Sequence, residues 1–334
     1  MSRKVFTAAV LGFAALALTA CGTGATGAGS GSSTSGAGGD GAAPRVAALF
    51  TQSIDQGNWD PAGYEAYQDM CDANGFDCTY VEQATYEQAP SLLRDYAQQG
   101  YDLVIAHSSG YAAAMKETAA EFPDTEFSLF SYESDLEDLP NYSAWSVDWT
   151  QAGFLQGVVA GLVSPTGAIA AVGGEQLPSS EDTMKLLESS ALTVNPAASV
   201  SQVWIGSFTD VAKGKQLALQ AVSSGADFLV PMADSAGQGV QQAAEESGTL
   251  SLGEYVDESD TYPSVVTSVM VDFAAAYDEI GAKFADGTLG GTLVTMDAST
   301  GAFSFAPFHH VDASVEEKAQ AALDGLADGS ITAG

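Results

Sequence analysis

Three cysteines, three histidines and 43 acidic residues are among the groups in this chain able to ligate a metal, attack an electrophile or move a proton. Their spacing points to none of those chemistries. Cys71 and Cys78 are two thiols with no histidine near them, short of the four ligands a tetrahedral zinc site takes. His107 ends a β-branched run and reads as a structural histidine, and His309-His310 read as surface residues near a C-terminal helix. No Ser, Cys or Lys stands in a nucleophile motif beside a histidine. Gly237-Gln238-Gly239 has neither the length nor the lysine of a phosphate loop. With 43 acids, carboxylate pairs arise by chance and single out no acid–base couple. The expectation is a chain that is not an enzyme and that holds no metal and no cofactor.

The N-terminus sets the compartment. Arg3 and Lys4 precede an apolar run over residues 5–18, the charged and hydrophobic regions of an export signal. That run is too short to span a bilayer. It ends in Leu18-Thr19-Ala20-Cys21, which resembles the bacterial lipobox, so residues 1–20 are expected to be removed and Cys21 to carry lipid. Residues 21–44 are mostly Gly, Ser, Ala and Thr and read as a flexible tether with a reach of roughly 25 Å. Setting Cys21 aside leaves Cys71 and Cys78, an even pair in a compartment where disulfides persist. A bridge between them would staple a helix to the strand that follows.

Cleavage would leave 8 basic against 43 acidic residues, a net charge of −35. Such a chain is no partner for nucleic acid, and anionic headgroups repel it. Membrane affinity must then come from the N-terminal lipid. So much acid suits a solvated, soluble surface. Roughly 290 residues follow the tether, enough for two lobes with separate cores.

From Arg45 onward, short β-branched runs alternate with longer amphipathic ones, the pattern of βαβ units and parallel sheets. Strands are expected at 46–50, 78–82, 103–106, 126–130 and 144–147, with helices at 62–74, 86–99 and 112–121. A second half offers strands at 168–172, 200–204 and 228–230 and helices at 180–192 and 211–224. Strands at 250–254 and 265–270 and a helix at 272–286 then return the chain. The fold class is α/β, two doubly wound Rossmann-like lobes of periplasmic-binding-protein type I with a hinge and a ligand cleft. Lobe 1 is expected to hold 45–147 plus about 254–285, and lobe 2 to hold 148–253 plus about 286–334. In open α/β sheets ligands sit outside the carboxyl ends of the strands, so the loops after strands are the ones that matter.

The segment from Ile205 to Lys215, Ile-Gly-Ser-Phe-Thr-Asp-Val-Ala-Lys-Gly-Lys, is similar to Gly-Ser-Phe-Thr-Asp-Pro-Ala-Lys-Gly-Lys of the basic membrane lipoprotein (BMP) family. Residues 99–105, 152–161, 171–174, 194–196 and 225–228 support the likeness, which runs from about Arg45 to Ala327. The family comprises substrate-binding proteins of bacterial ABC importers, purine nucleoside receptors among them. The resemblance implies that a base lies between two rings, at Trp59 and Phe208, with Asp257 holding ribose hydroxyls. Stacking of this kind is worth roughly 1 to 3 kcal/mol per base and tolerates different bases.

The chain also departs from the family. Gln52 stands where an acid is usual, Ala112-Ala113-Ala114 replace a base-reading acid, and Thr267 to Asp272 lacks the family's lysine. Asp60 replaces an Asn, and Asp234-Ser235-Ala236-Gly237 occupies a loop whose glycines let backbone amides approach the ligand. Gln52, Asp60, Ser108, Asp234 and Gly237 are therefore expected to set a selectivity different from the family's. The expected function is lipid-anchored capture, on the extracytoplasmic side of the cell membrane, of a nucleoside-like small molecule for ABC permease transmembrane subunits. Signalling to a membrane receptor and extracytoplasmic hydrolysis are the other readings.

Overall fold

A computed structural model describes residues 42–131, 136 and 138–334. The expected export signal, Cys21 and all but the last residues of the tether lie outside the described residues. Among the described residues no helix is long and apolar enough to cross a membrane.

The first eight elements are β1 (Arg45–Leu49), α1 (Trp59–Asn74), β2 (Asp77–Val81), α2 (Ala89–Gln98), β3 (Leu103–Ala106), α3 (Ala112–Glu121), β4 (Glu126–Phe130) and β5 (Tyr142–Val147). Then come α4 (Trp149–Val163), β6 (Ala168–Gly173), α5 (Pro178–Val194), β7 (Ser199–Trp204), α6 (Val211–Ser223) and β8 (Phe228–Met232). The rest are α7 (Gly237–Ser247), β9 (Leu250–Tyr255), β10 (Val265–Val271), α8 (Phe273–Ala285), β11 (Leu293–Met296), β12 (Phe303–Phe305) and α9 (Ala313–Ala327).

The strands form two sheets. The first runs β11-β5-β4-β3-β1-β2, every pair parallel. The second runs β12-β10-β9-β8-β6-β7, parallel except for the antiparallel pair of β10 and β12. Alternate side chains of β1 explain the covering layers. Val46, Ala48 and Phe50 pack in the cluster that holds Tyr67 and Met70 of α1, whereas Ala47 and Leu49 join Leu93 of α2 and Met115 of α3. In the second sheet Ile169 and Ala171 of β6 share a cluster with Leu155 and Leu187, and Ala170 and Val172 join Ala218 and Val240. Strands buried on both faces suit a parallel sheet between helices.

Cys71 at the end of α1 is bonded to Cys78 in β2, with Cα atoms 6.2 Å apart. On loop-entropy scaling so short a crosslink contributes roughly 2 to 3 kcal/mol.

The sheets correct the expected lobe boundaries. Residues 265–271, assigned to lobe 1 within 254–285, pair with β9 in the second sheet. The chain returns to the first lobe only at Asp272. There α8 packs on α1, Gly281 lying against Met70 and Asn74, and β11 adds to the edge of β5. A run of β-branched residues specifies a strand but not its sheet. Pro231 ends the expected 228–230 strand early, yet β8 continues through it. The ladder from β8 to β9 runs at Phe228 and Leu229, so the amide that proline lacks falls beyond it.

Three crossings join the lobes, after β5, after β10 and after β11. Asp148, Asp272 and Asp297 stand at these crossings, each accepting bonds from backbone N–H groups of the following turn. The Asp148 N–H donates to the Met296 carbonyl at 2.9 Å, and the Ala298 N–H to Gln151 Oε1 at 2.8 Å, which ties two crossings side by side.

Candidate functional site

In both sheets the winding reverses beside the first strand, between β1 and β3 and between β6 and β8. Crevices outside the carboxyl ends of strands at such switch points are where α/β proteins bind ligands. Here both sets of strand ends contribute to one cavity of about 400 Å³. Thr51 and Gln52 follow β1, Tyr86 follows β2, Ser108 and Ser109 follow β3, and Glu175, Phe208 and Asp234 follow β6, β7 and β8. That size is ordinary for a small-molecule site.

One wall is aromatic. Trp59, the first residue of α1, has ring centroids of Phe130, Tyr255 and Trp149 at 4.7, 5.6 and 5.8 Å, and all four rings line the cavity. Its indole N–H donates to the His107 carbonyl at 3.0 Å, which fixes the ring plane. His107 stands behind it, fully buried. The Trp59 carbonyl can only accept, so Nε2 carries the imidazole proton (3.3 Å) and Nδ1 accepts from the Tyr277 hydroxyl (2.8 Å). Burial pushes the His107 pKa down to about 3, so the ring is neutral and serves as a support for Trp59. Tyr255 reaches the cavity from a φ of +67°, a backbone strain unusual for a bulky residue and typical of ligand sites. On the second lobe Phe208 lies over Gly174, where a Cβ would come within 2.3 Å of the ring.

Beside the cavity the lobes meet in a polar seam. The Asp234 carboxylate, from the second lobe, accepts from the N–H groups of Asn58 and Trp59 at the start of α1, at 3.0 and 3.1 Å, and from Gln52 Nε2 at 2.6 Å. A carboxylate is favoured there because a helix N-terminus presents unpaired N–H groups and a partial positive charge. Gln52 Oε1 accepts from the Ser235 hydroxyl at 2.7 Å. Gly57 is required at this seam, since a Cβ would meet Ser235 Oγ at 2.5 Å. Below it, Asn58 Nδ2 donates to Glu258 Oε1 at 2.9 Å and to the Glu254 carbonyl at 3.1 Å. Glu254 Oε2 accepts from the Ala233 and Asp234 N–H groups at 3.2 and 3.1 Å. Burial, reinforced by the Asp234 charge, pushes the Glu254 pKa up to about 8, and burial also raises Glu258.

Five expected ligand residues, Gln52, Trp59, Ser108, Phe208 and Asp234, are brought to the cavity. Three are not. Asp257 is exposed and bonds to the backbone and hydroxyl of Ser259, while the acids turned inward from that stretch are Glu254 and Glu258. Asp60 is fully buried beneath the cavity floor. It accepts from Thr51 Oγ1 and the Gln52 N–H, both at 2.8 Å, and burial pushes its pKa up to about 6. Gly237 is buried and opens α7 at φ −60°, so no glycine loop offers its amides there; the glycine is in a turn of helix. Sequence reasoning missed Tyr86, Phe130, Trp149, Glu175 and Tyr255. All five stand at or just after the carboxyl end of a strand, so the rule that such positions line the cleft would have found them had it been applied to every strand.

A family model described as "ABC transporter substrate-binding protein PnrA-like" matches residues 43–325. The transcriptional activator protein med of Bacillus subtilis is 24% identical over 271 residues, covering 80% of this chain and 83% of that protein. A purine-binding protein of Brucella abortus is 24% identical over 260 residues, covering 77% of this chain and 73% of the relative. Among solved structures, an ABC transporter solute-binding protein from Conexibacter woesei superposes with a TM-score of 0.72 at 26% identity, over 87% of this chain and 98% of that one.

Proposed function

Because this chain belongs to the family of PnrA-like ABC transporter substrate-binding proteins, we propose that it captures a ring-bearing, nucleoside-like solute between its lobes, outside the cytoplasm, and presents the closed form to permease subunits. The observation that carries this reading is the cavity of about 400 Å³ between the two sets of strand ends, with Trp59 and Phe208 on its walls. Flat π-faces suit a heterocyclic base, at roughly 1 to 3 kcal/mol per stacked ring. The purine-binding name of the Brucella relative supports the same class. Gln52, Ser108, Asp234 and Glu175 would set polar selectivity. Lobes that close about hinge crossings fit this use, and the lipobox-like residues before Cys21 support an acyl anchor that keeps the receptor beside its permease.

A thermal-shift screen of nucleosides, free bases and sugars tests the class. A ligand at 100 times its dissociation constant adds about 2.7 kcal/mol to stability. Silence from every nucleoside removes this reading, as does an unchanged affinity for the ligand found after both Trp59→Ala and Phe208→Ala. A second reading, transfer of occupancy to a membrane receptor, is favoured by the relative named a transcriptional activator. Deletion of the gene separates the two: loss of solute uptake marks import, and loss of a transcriptional response with uptake intact marks sensing.

A further inference from the structure

The charge inventory of the cavity is one-sided. Six aromatic residues line it, Trp59, Tyr86, Phe130, Trp149, Phe208 and Tyr255, together with the carboxylates Glu175 and Asp234. No lysine, arginine or histidine lines it among the described residues. Of the lysines near the lining in sequence, Lys215 pairs with Glu246 and Lys185 with Asp182, both at 2.8 Å, and Lys213 is exposed, its Nζ 3.7 Å from where a Cβ on Gly206 would stand, without lining the cavity. A neutral solute gains nothing from that asymmetry and an anionic one is repelled. A cation gains twice, from the negative faces of the rings and from the carboxylates.

A second, smaller cavity of about 60 Å³ shares Trp149, Phe208 and Tyr255 with the first and continues past them to Gln156, Thr183 and Glu254. Gln156 is 5% exposed, and its Oε1 is a buried acceptor with no hydrogen-bond partner. An orphaned buried acceptor calls for a donor from the guest. Glu254 also lines this pocket, and no basic residue lines it among the described residues. The whole protein adds to the same field, with a formal net charge of −33 that concentrates cations at its clefts.

We infer that the solute held in this cleft is a heterocycle carrying a positive charge, its cationic ring seated among Trp59, Trp149 and Tyr255 and a donor group turned toward Gln156. The inference rests on the capture of a ring-bearing solute proposed above and narrows it to cations.

Isothermal titration of the full-length chain at neutral pH separates the two claims with four probes: adenosine, N6-methyladenosine (neutral), its isomer 1-methyladenosine (cationic) and choline. The expected result is tighter binding of 1-methyladenosine than of either neutral nucleoside by about tenfold or more, with the ratio shrinking in Glu175→Gln and in Trp149→Leu. Neutral nucleosides that bind as tightly as 1-methyladenosine overturn the charge inference and leave the nucleoside reading standing. Binding of choline with no nucleoside bound upholds the charge and overturns the ring. Failure of all four to bind a chain whose circular dichroism is native overturns both.

Discussion

The seam and the cavity lie side by side between the same two lobes, and they are built from opposite materials. In the seam the polar atoms that meet are paired across it: Asp234 takes the Asn58 and Trp59 N–H groups at the start of α1 and the Gln52 amide, and Asn58 reaches Glu258. In the cavity aromatic rings stand open, held from behind by buried groups such as His107. The difference separates two tasks. Directional bonds that are satisfied only when the lobes touch define the closed geometry, whereas non-directional ring faces accept a guest without dictating one orientation. Trp59 belongs to both, because its N–H is held by the seam and its ring lines the cavity, so closure also sets the ring.

If the seam is the titratable region, pH breaks it first. Glu254 has its folded pKa raised from 4.5 to about 8, and Asp60 from 3.8 to about 6. A carboxyl raised on folding favours the protonated folded state. Its contribution is therefore complete below the unfolded pKa and is lost as pH rises through the folded one. Thermal stability should fall from pH 5 to pH 8 by an amount on the order of 4 kcal/mol. Glu254→Gln should remove most of that slope and raise the melting temperature at pH 8. A melting temperature that is flat or climbs over this range would defeat the assignment of Glu254. The cavity should answer to a different change. Trp59→Ala strips a ring packed against Phe130, Phe273 and His107 and should cost about 3 kcal/mol of stability, together with ligand affinity, at every pH. Chemical denaturation at pH 5 and pH 8 shows whether the loss is pH-independent.

How much of each region the sequence revealed follows the same division. The ring positions of the cavity were readable where the resemblance to the family implies them, at Trp59 and Phe208. The helix pattern gives no hint of Trp149, since α4 is buried on nearly all sides and shows no amphipathic stripe, so only its place just after β5 marks it. The strands up to β10 were readable to within two residues, since β-branched runs in parallel sheets are continuous, whereas the short edge strands β11 and β12 were not expected. Their allocation to sheets was not, because β10 and β11 exchange lobes through contacts of α8 on α1 that lie far apart in sequence. The seam was the least legible part. Asp234, Gln52 and Asn58 lie more than 170 positions apart across it, and nothing local tells which of 43 acids meets a helix N-terminus. The choice of Asp257 over Glu258 shows the same limit: the two are adjacent in the chain, and only the fold turns one to solvent and the other inward.

Asp234 sharpens the division further. Asp234→Ala leaves the Asn58 and Trp59 N–H groups and the Gln52 amide without their acceptor, at a cost of about 2 kcal/mol for losing bonds to a charged group. Because those bonds cross between lobes, the loss should fall on closure more than on the cores of the lobes. Small-angle scattering should show a larger radius of gyration than wild type, while the denaturant midpoint moves less than for Trp59→Ala. An unchanged radius with a lowered midpoint would mean that the seam stabilises the second lobe internally and does not hold the two together.

The smallest effect belongs to the cavity's outer edge. The Tyr86 ring is 54% exposed and its hydroxyl lies 3.0 Å from Ser108 Oγ, a bond open to water. Removing the hydroxyl in Tyr86→Phe should change stability by less than about 0.5 kcal/mol, as surface substitutions do, because water takes its place at Ser108. Ligand affinity is the more telling readout. The ring face survives the change, so a guest held by faces loses almost nothing, whereas a guest held by a bond to this hydroxyl loses about tenfold. Titration of Tyr86→Phe therefore decides whether the open side of the cavity selects by surface, as its inner wall does, or by directional bonds like those of the seam.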